Sequence, residues 1–284
     1  MINLYSALPQ GRGSIKLLFI KTKLTTMKYL KFIILTLLSA GASAQNNTIR
    51  PLNVLFIGNS YTYVNSLPQI CVGIAASAGD VVFYDNYTPG GYTLKQHVSD
   101  SNVIKKIMQG SWDFVVLQEQ SQLPSSPDNE VSKDVLPYAH SLDSLIHWYN
   151  PKGKTVFYMT WGRKNGDTTR CKSWPPVCSY GGMDSLLALR YTLMARLNHA
   201  DISPVGAVWR FLREKYPDIE LYLRDESHPS EAGSYAAACC FYTIFFQKDP
   251  GGIKYNYTLS SENARKIRNT VRKVVFDDLV KWKY

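Results

Sequence analysis

The sequence has few of the residues that build metal sites, with five histidines and five cysteines among 284 residues. No two cysteines are spaced as C-x-x-C, and the histidines do not cluster at the spacing of metal ligands. Because a zinc site needs several thiolate or imidazole ligands at close spacing, the sequence argues against one. We therefore expect neither a metal nor another cofactor.

Two further absences limit the partners of the protein. The chain has no uninterrupted apolar run of the about 20 residues that a membrane-spanning helix needs. Positions 45–284 contain no dense run of lysine and arginine. The formal net charge falls from +10 to +4 when the six basic residues of positions 1–44, which include no acidic residue, are set aside. Nucleic-acid binding is therefore not indicated.

The N-terminal segment has the order of a secretory signal peptide. A basic start, a short apolar stretch and a small-residue cleavage site follow one another at Met27–Lys31, Phe32–Leu38 and Ala42–Ala44. This order predicts a signal peptide over 27–44, with cleavage near Ala44, and a membrane anchor is the alternative. Because the signal begins at the second methionine, we interpret 1–26 as an extension from an early start codon and 45–284 as a single domain.

Export would make disulfides possible. Cys171 and Cys178 flank a short Pro-Pro loop, and we expect them to pair. Cys71, Cys239 and Cys240 stand in apolar helical surroundings, which predicts buried thiols. No cysteine directly follows the cleavage site, so a lipoprotein anchor is not indicated, and the protein is expected in the periplasm or outside the cell.

Short apolar runs alternate with amphipathic segments along positions 45–284. The predicted strands are Asn53–Ile57, Val81–Tyr87, Asp113–Leu117, Thr155–Thr160 and Ile202–Val205. The predicted helices are Leu67–Ala78, Thr93–Met108, Val131–Trp148, Asp184–Asn198, Val208–Lys215, Glu231–Phe246 and Ser261–Lys281. This alternation predicts an α/β fold with a five-stranded, doubly wound parallel sheet in the order 2-1-3-4-5. No repeat or linker divides it.

Ser60 comes directly after the first predicted strand, in the segment Gly58-Asn59-Ser60. A serine at such a turn can present its hydroxyl at the edge of the sheet as a nucleophile. The alternative is a helix N-cap, a position that serine and asparagine favour. The segment is not the G-x-S-x-G motif of α/β-hydrolases.

A second polar segment, Asp225-Glu226-Ser227-His228-Pro229, lies near the C-terminal end. A serine nucleophile needs a neighbouring base, and the base needs a carboxylate to fix its tautomer. The D-x-x-H spacing lets Asp225 contact one nitrogen of His228 while the other nitrogen faces Ser60. Capping of the next helix, the alternative, explains Ser230 but neither the aspartate nor the histidine.

Two further segments are candidates for an oxyanion hole. Gly91 ends the turn after the second strand, where a backbone N–H without a side chain can approach an oxyanion. The segment Gln118–Ser121 follows the third strand, and a glutamine amide there is a second candidate donor. A plain turn and a surface loop are the respective alternatives.

Taken together, these segments resemble the motifs of the SGNH, or GDSL-type, hydrolases over essentially all of 45–284. Gly58–Thr62 is similar to the first block, Gly91 to the second and Asp225–Pro229 to the last. The resemblance implies a flavodoxin-like three-layer α/β/α sandwich, no metal, and ester hydrolysis through an acyl-enzyme on Ser60, whose backbone N–H joins the oxyanion hole. The third block of the family is usually G-x-N-D. Here Gln120 stands at the asparagine position, with Gln118 as the alternative, which indicates a divergent bacterial branch.

The candidate substrate-binding residues are Trp161, Arg163, Trp174 and Gln118. Exposed tryptophan stacks on sugar rings and arginine binds carboxylates or hydroxyls, although a loop that merely packs is the alternative. No amphipathic lid is evident in the sequence. We expect an esterase that removes acyl groups from a carbohydrate; a silent glycan-binding module and a lipase or thioesterase are the alternatives. The sequence leaves the oligomeric state open.

Overall fold

The computed structural model describes residues 50–284. The predicted signal peptide and the extension before it lie outside the described residues. Five parallel strands form one sheet in the order β2-β1-β3-β4-β5, as predicted. The strands are β1 (Leu52–Ile57), β2 (Val82–Tyr87), β3 (Phe114–Leu117), β4 (Lys154–Tyr158) and β5 (Asp201–Ser203).

Helices cover the sheet and complete the predicted three-layer α/β/α sandwich. They are α1 (Ser60–Tyr63), α2 (Leu67–Ser77), α3 (Leu94–Ser99), α4 (Ser101–Met108), α5 (Asp128–Asp134), α6 (Leu136–Tyr149), α7 (Tyr180–Asn198), α8 (Val205–Lys215), α9 (Glu231–Phe246) and α10 (Ser261–Val271). Helices α2, α8 and α10 each pack against α9, and α3, α4 and α7 each pack against α6. None of the helices in residues 50–284 is long and apolar enough to cross a membrane.

The burial of the strands explains why the sequence identified them. The central strands β1, β3 and β4 end in runs of fully buried apolar residues, Val54–Ile57, Val115–Leu117 and Val156–Tyr158. Strands that are buried on both faces read as continuous apolar runs. Strand β2 pairs with β1 alone, and its Phe83 is 60% exposed, so it alternates instead.

Two predicted long helices are each divided in the structure. Thr93–Met108 is broken at Asp100, whose backbone is extended and whose side chain caps α4 by accepting from the Asn102 N–H. Val131–Trp148 is broken at Val135, just before α6. Pro137 near the start of α6 has no N–H to donate to the preceding turn, so a new helix begins there.

Helix α9 has the predicted bounds and is buried on nearly all sides. Its Cys239 and Cys240, together with Cys71 of α2, are buried free thiols, as expected. Cys171 and Cys178 form the predicted disulfide. The predicted C-terminal helix Ser261–Lys281 is shorter in the structure. Helix α10 ends at Val271, and Arg272–Phe276 form a short π-helix after it.

Candidate active site

The first functional segment is the turn that joins β1 to α1. Asn59 caps α1, with its Oδ1 accepting from the Tyr61 N–H at 3.3 Å. Ser60 is therefore the first residue of the helix rather than its cap. Its hydroxyl is left free for another partner, and Ser60 Oγ lies 2.8 Å from His228 Nε2.

A short turn supplies the other two members of this hydrogen-bonded chain. His228 Nδ1 hydrogen-bonds to Asp225 Oδ2, and Asp225 Oδ1 accepts from the backbone N–H groups of Ser227 at 3.1 Å and His228 at 3.0 Å. Glu226 adopts a positive φ of 58°, which lets the chain turn back between the two residues. Ser60, His228 and Asp225 are thus brought together from opposite ends of the sequence.

The charge state of Asp225 suits a partner of histidine. Burial alone would raise the pKa of its carboxyl, but hydrogen bonds from His228 and from the backbone N–H groups of Ser227 and His228 outweigh burial and lower the pKa. The carboxylate is therefore ionised at neutral pH. It favours the tautomer with the proton on Nδ1 of His228, which leaves Nε2 able to accept the Ser60 proton.

Aromatic residues pack beneath the hydrogen-bonded chain of Ser60, His228 and Asp225. Tyr61 stacks on Trp161 with ring centroids 4.8 Å apart, and Trp161 stacks on Trp209 at 3.7 Å. Trp161 is fully buried, and its Nε1 donates to the carbonyl of Ser227 at 3.1 Å. The sequence interpretation of Trp161 as an exposed sugar-binding ring is wrong, because both ring faces are already covered. Its place is to support the turn that carries His228.

The segment that contains Ser60 and the segment that contains His228 are also bonded directly. The hydroxyls of Tyr61 and Ser227 lie 2.7 Å apart. Farther along, Asn65 Nδ2 donates to the carbonyl of Pro229 and to Ser234 Oγ, each at 3.0 Å. The residues that adjoin Ser60 and His228 in sequence therefore hold the two segments at a fixed separation.

Gln118 lies below the nucleophile turn and is fully buried. Its Oε1 accepts from the Asn59 N–H and the Thr62 hydroxyl, both at 2.9 Å. Its Nε2 donates to Asn59 Oδ1 and to the carbonyl of Glu119. A Cβ at Gly58 would lie 2.7 Å from Oε1 of Gln118, so only glycine fits there. The proposed roles of Gln118 as a substrate-binding residue and as the alternative oxyanion donor are contradicted, because its amide is already saturated.

Gly91 lies in a turn closed by the Tyr92 N–H, which donates to the Pro89 carbonyl at 3.3 Å. It has a positive φ of 71° and open space where a Cβ would stand. Asn59 Nδ2 donates to the carbonyl of Tyr92 at 2.9 Å, which holds this turn beside the turn of Ser60. The N–H of Ser60, in the first turn of α1, has no intrahelical partner.

Gln120 is half-buried at the carboxyl end of β3. Its Oε1 accepts from the backbone N–H groups of Gln122 at 2.8 Å and Leu123 at 3.1 Å. Its Nε2 donates only to Gln122 Oε1, at 3.3 Å, among the described residues. The amide is therefore oriented by its oxygen and keeps one N–H uncommitted.

Arg163 and Trp174 are both partly exposed, and each has partners within the protein. Arg163 Nη1 lies 3.6 Å from the buried carboxylate of Asp167. Trp174 Nε1 donates to the carbonyl of Ser125 at 2.9 Å, and its ring packs against the core. Neither side chain hydrogen-bonds to a member of the Ser60–His228–Asp225 chain, so a substrate-binding role for either stays a prediction.

Two buried ionisable residues escaped the sequence interpretation. His97 is fully buried and hydrogen-bonds through Nε2 to the carbonyl of Gly58 at 2.9 Å; burial lowers its pKa to about 4, so it is neutral. Glu119 is fully buried directly after β3. For Glu119, the only signal in the sequence was a polar residue immediately beyond a buried strand.

No group of three or more metal-ligating side chains occurs within residues 50–284.

Comparison with known proteins relates the fold to solved structures. No protein-family model and no curated protein matches the sequence. The chain is similar to a DUF4886 family protein from Bacteroides uniformis, with a TM-score of 0.70 and 17% identity, covering 80% of this chain and 95% of that one. It is similar to a proposed SGNH hydrolase from Slackia heliotrinireducens, with a TM-score of 0.55 and 26% identity, covering 68% and 98%. A proposed GDSL-like lipase from Parabacteroides merdae has a TM-score of 0.50 and 11% identity, covering 71% and 98%.

Proposed function

We propose that this chain, which has the fold of the SGNH hydrolases, hydrolyses carboxylic esters with a serine nucleophile. The observation that carries the proposal is the continuous hydrogen-bonded chain from Ser60 through His228 to Asp225. Nucleophile, base and orienting carboxylate in this order are the arrangement that activates a serine hydroxyl.

The reaction begins when Ser60 Oγ attacks the ester carbonyl and His228 Nε2 takes the hydroxyl proton. Asp225 stabilises the imidazolium that forms. The tetrahedral intermediate collapses, the C–O bond to the alcohol breaks, and His228 returns the proton to the leaving alcohol. Water, activated by the same histidine, then hydrolyses the acyl group from Ser60.

The developing oxyanion would be held by the N–H groups of Ser60 and Gly91 and by the amide of Gln120. The position of the Gly91 turn beside the Ser60 turn and the uncommitted N–H of Gln120 support this assignment. One such donor commonly contributes about 100- to 1,000-fold to kcat.

The substrate that we propose is an acylated carbohydrate. The support is the partial exposure of Trp174 and Arg163. The burial of Trp161 and Gln118 removes the other two candidates. A silent glycan-binding module is less well supported, because such a module has no need of an ordered serine–histidine–aspartate chain. Export to the periplasm or cell exterior is part of the proposal, and the Cys171–Cys178 disulfide is consistent with an oxidising compartment.

Hydrolysis of p-nitrophenyl acetate by the wild type, Ser60→Ala, His228→Ala and Asp225→Ala tests the proposal. The first two changes should lower kcat at least about a thousandfold, and Asp225→Ala should be milder because the aspartate does not itself react. Circular dichroism confirms that each variant is folded. Release of acetate from an acetylated glycan, compared with a long-chain acyl ester, then separates a carbohydrate esterase from a lipase. Equal turnover by Ser60→Ala would overturn the mechanism.

A further inference from the structure

A single oxygen of Glu119 bonds to two separate segments of the site. Glu119 Oε1 accepts from the Leu94 N–H at 3.1 Å and from the Gln120 N–H at 2.6 Å. Leu94 stands three positions after Gly91, at the start of α3, and Gln120 follows Glu119 directly. The two segments that carry the proposed oxyanion donors therefore meet at one carboxyl group.

Helix α3 leaves the N–H of Leu94 without an intrahelical acceptor, because Leu94 is its first residue, and Leu94 is fully buried. That helix has its own capping box: Thr93 Oγ1 accepts from the Gln96 N–H at 3.1 Å, and Gln96 Oε1 accepts from the Thr93 N–H at 2.9 Å. Glu119 lies just beyond the end of strand β3, 25 positions away in sequence. The capping box satisfies the N–H groups of Thr93 and Gln96, and Glu119 supplies the acceptor for Leu94 through a long-range connection.

Glu119 has no access to a substrate. It is fully buried, its N–H donates to the Tyr191 hydroxyl at 3.3 Å, and its Oε2 has no hydrogen-bond partner among the described residues. Burial raises the pKa of this carboxyl to about 8, against the lowering effect of the two N–H donors, so it is mostly protonated at neutral pH. A buried carboxyl costs free energy, and an apolar residue would avoid that cost if the site did not use the group.

We propose that Glu119 is a positioning residue whose Oε1 fixes the separation between the Gly91 turn and the backbone of Gln120, the residue whose side-chain amide is a proposed oxyanion donor. Two connections then hold the segment that directly follows Gly91, one from Asn59 to the carbonyl of Tyr92 and one from Glu119 to the N–H of Leu94. The role requires a side-chain oxygen that reaches the N–H groups of Leu94 and Gln120 and accepts from both. It requires neither a negative charge nor a titrating proton on that side chain. This inference rests on the proposed function, because it concerns the oxyanion hole of the same reaction.

Three substitutions of Glu119 separate the effects of side-chain length, of a titrating carboxyl and of a buried side chain that has no acceptor oxygen. Glu119→Gln keeps the acceptor oxygen at the same reach without a titrating group, and kcat for p-nitrophenyl acetate should stay within about threefold of the wild type. Glu119→Leu removes the acceptor, and Glu119→Asp shortens the side chain by one methylene. Both should lower kcat about tenfold to a hundredfold with little change in KM, because the oxyanion donors act on the transition state.

Asp143→Leu is the matched control, since Asp143 is a buried carboxyl on α6 outside the site, with one oxygen lacking a hydrogen-bond partner. It should leave kcat at the wild-type level. If Glu119→Leu does not fold, the comparison of kcat between Glu119→Gln and Glu119→Asp still tests the inference. A folded Glu119→Leu with wild-type kcat, or a Glu119→Gln as impaired as Glu119→Asp, would overturn the inference.

Hydrogen–deuterium exchange tests the connection without relying on activity. Peptides that contain Leu94 and Gln120 should exchange faster in Glu119→Asp than in the wild type and Glu119→Gln. If the wild type shows no Ser60-dependent hydrolysis, the proposed function fails while the exchange still decides the connection. Unchanged exchange in Glu119→Asp would show that Glu119 does not hold these segments together.

Discussion

At the scale of single residues, neighbouring glutamines at the end of β3 have different surroundings. Gln118 points into the structure, where both its oxygen and its nitrogen are bonded around the nucleophile turn. Gln120, two positions later, is half-buried and keeps an N–H uncommitted. Sequence alone proposed both as oxyanion donors, since which of the two turns inward depends on partners supplied by β1 and α1.

Gln120→Ala therefore tests the assignment of the third oxyanion donor. We expect kcat to fall about a hundredfold with KM nearly unchanged, because the amide is needed only as charge develops on the carbonyl oxygen. Gln118→Ala is the informative comparison: it should lower Tm as well as activity, since it leaves the Asn59 N–H without its acceptor. Steady-state kinetics and thermal denaturation of both variants give the answer. Unchanged kcat in Gln120→Ala would leave only backbone donors in the oxyanion hole.

The buried carboxyl of Glu119 also predicts how stability depends on pH. Its folded pKa of about 8 lies above the ordinary value of 4.5. The folded protein thus favours the protonated form, and the stability associated with that proton is lost as pH rises from about 4.5 to about 8. Burial also raises the pKa of the neighbouring Tyr191 above its ordinary value of 10.0, so the Tyr191 hydroxyl stays neutral between pH 4.5 and pH 8.

The free energy of unfolding of Glu119→Gln should therefore gain on the wild type as pH rises through this window, by on the order of a few kcal/mol, and level off above it. Urea denaturation of both proteins at a series of pH values measures the difference. A difference that does not change with pH would mean that Glu119 titrates at its ordinary value in the folded protein.

At the scale of secondary structure, the strands were the most predictable part. Strands β1, β3 and β4 are buried on both faces, so each is a continuous apolar run in the sequence. Breaks within helices were harder to predict, because Asp100 and Val135 interrupt otherwise amphipathic patterns. The Asp100 break depends partly on a distant partner, the Tyr87 hydroxyl, which donates to Asp100 Oδ2 at 2.7 Å.

The loop between β4 and α7 contains the disulfide and Trp174. Alkylation of the denatured protein, purified from an oxidising compartment, should modify three cysteines before reduction and five after it, as read by intact mass. Replacing Cys171 and Cys178 by serine should lower the free energy of unfolding by about 2 kcal/mol, because the bridge closes only a short loop. Five alkylated cysteines before reduction would exclude the bridge.

At the scale of the whole molecule, the sheet order explains why distant residues meet. The turns after β1 and β3 both lie at the carboxyl edge of a parallel sheet, where such folds form their sites. The order of strands was predicted from the alternation of strands and helices, which is typical of a doubly wound sheet. The pairing of Ser60 with His228 was predicted from the motifs at the two ends of the chain. The buried supports were not predictable in the same way. Trp161, His97 and Glu119 acquire their roles from packing between segments that are far apart in sequence.

The most direct test of the central claim is covalent labelling of the serine. The wild type is incubated with a p-nitrophenyl alkylphosphonate, which an activated serine attacks at phosphorus with loss of p-nitrophenolate, and the adduct is located by peptide mass spectrometry. We predict one adduct, on Ser60, formed far more slowly in His228→Ala because the hydroxyl then lacks its base. No adduct on the folded wild type, or an adduct on a different residue, would contradict the account.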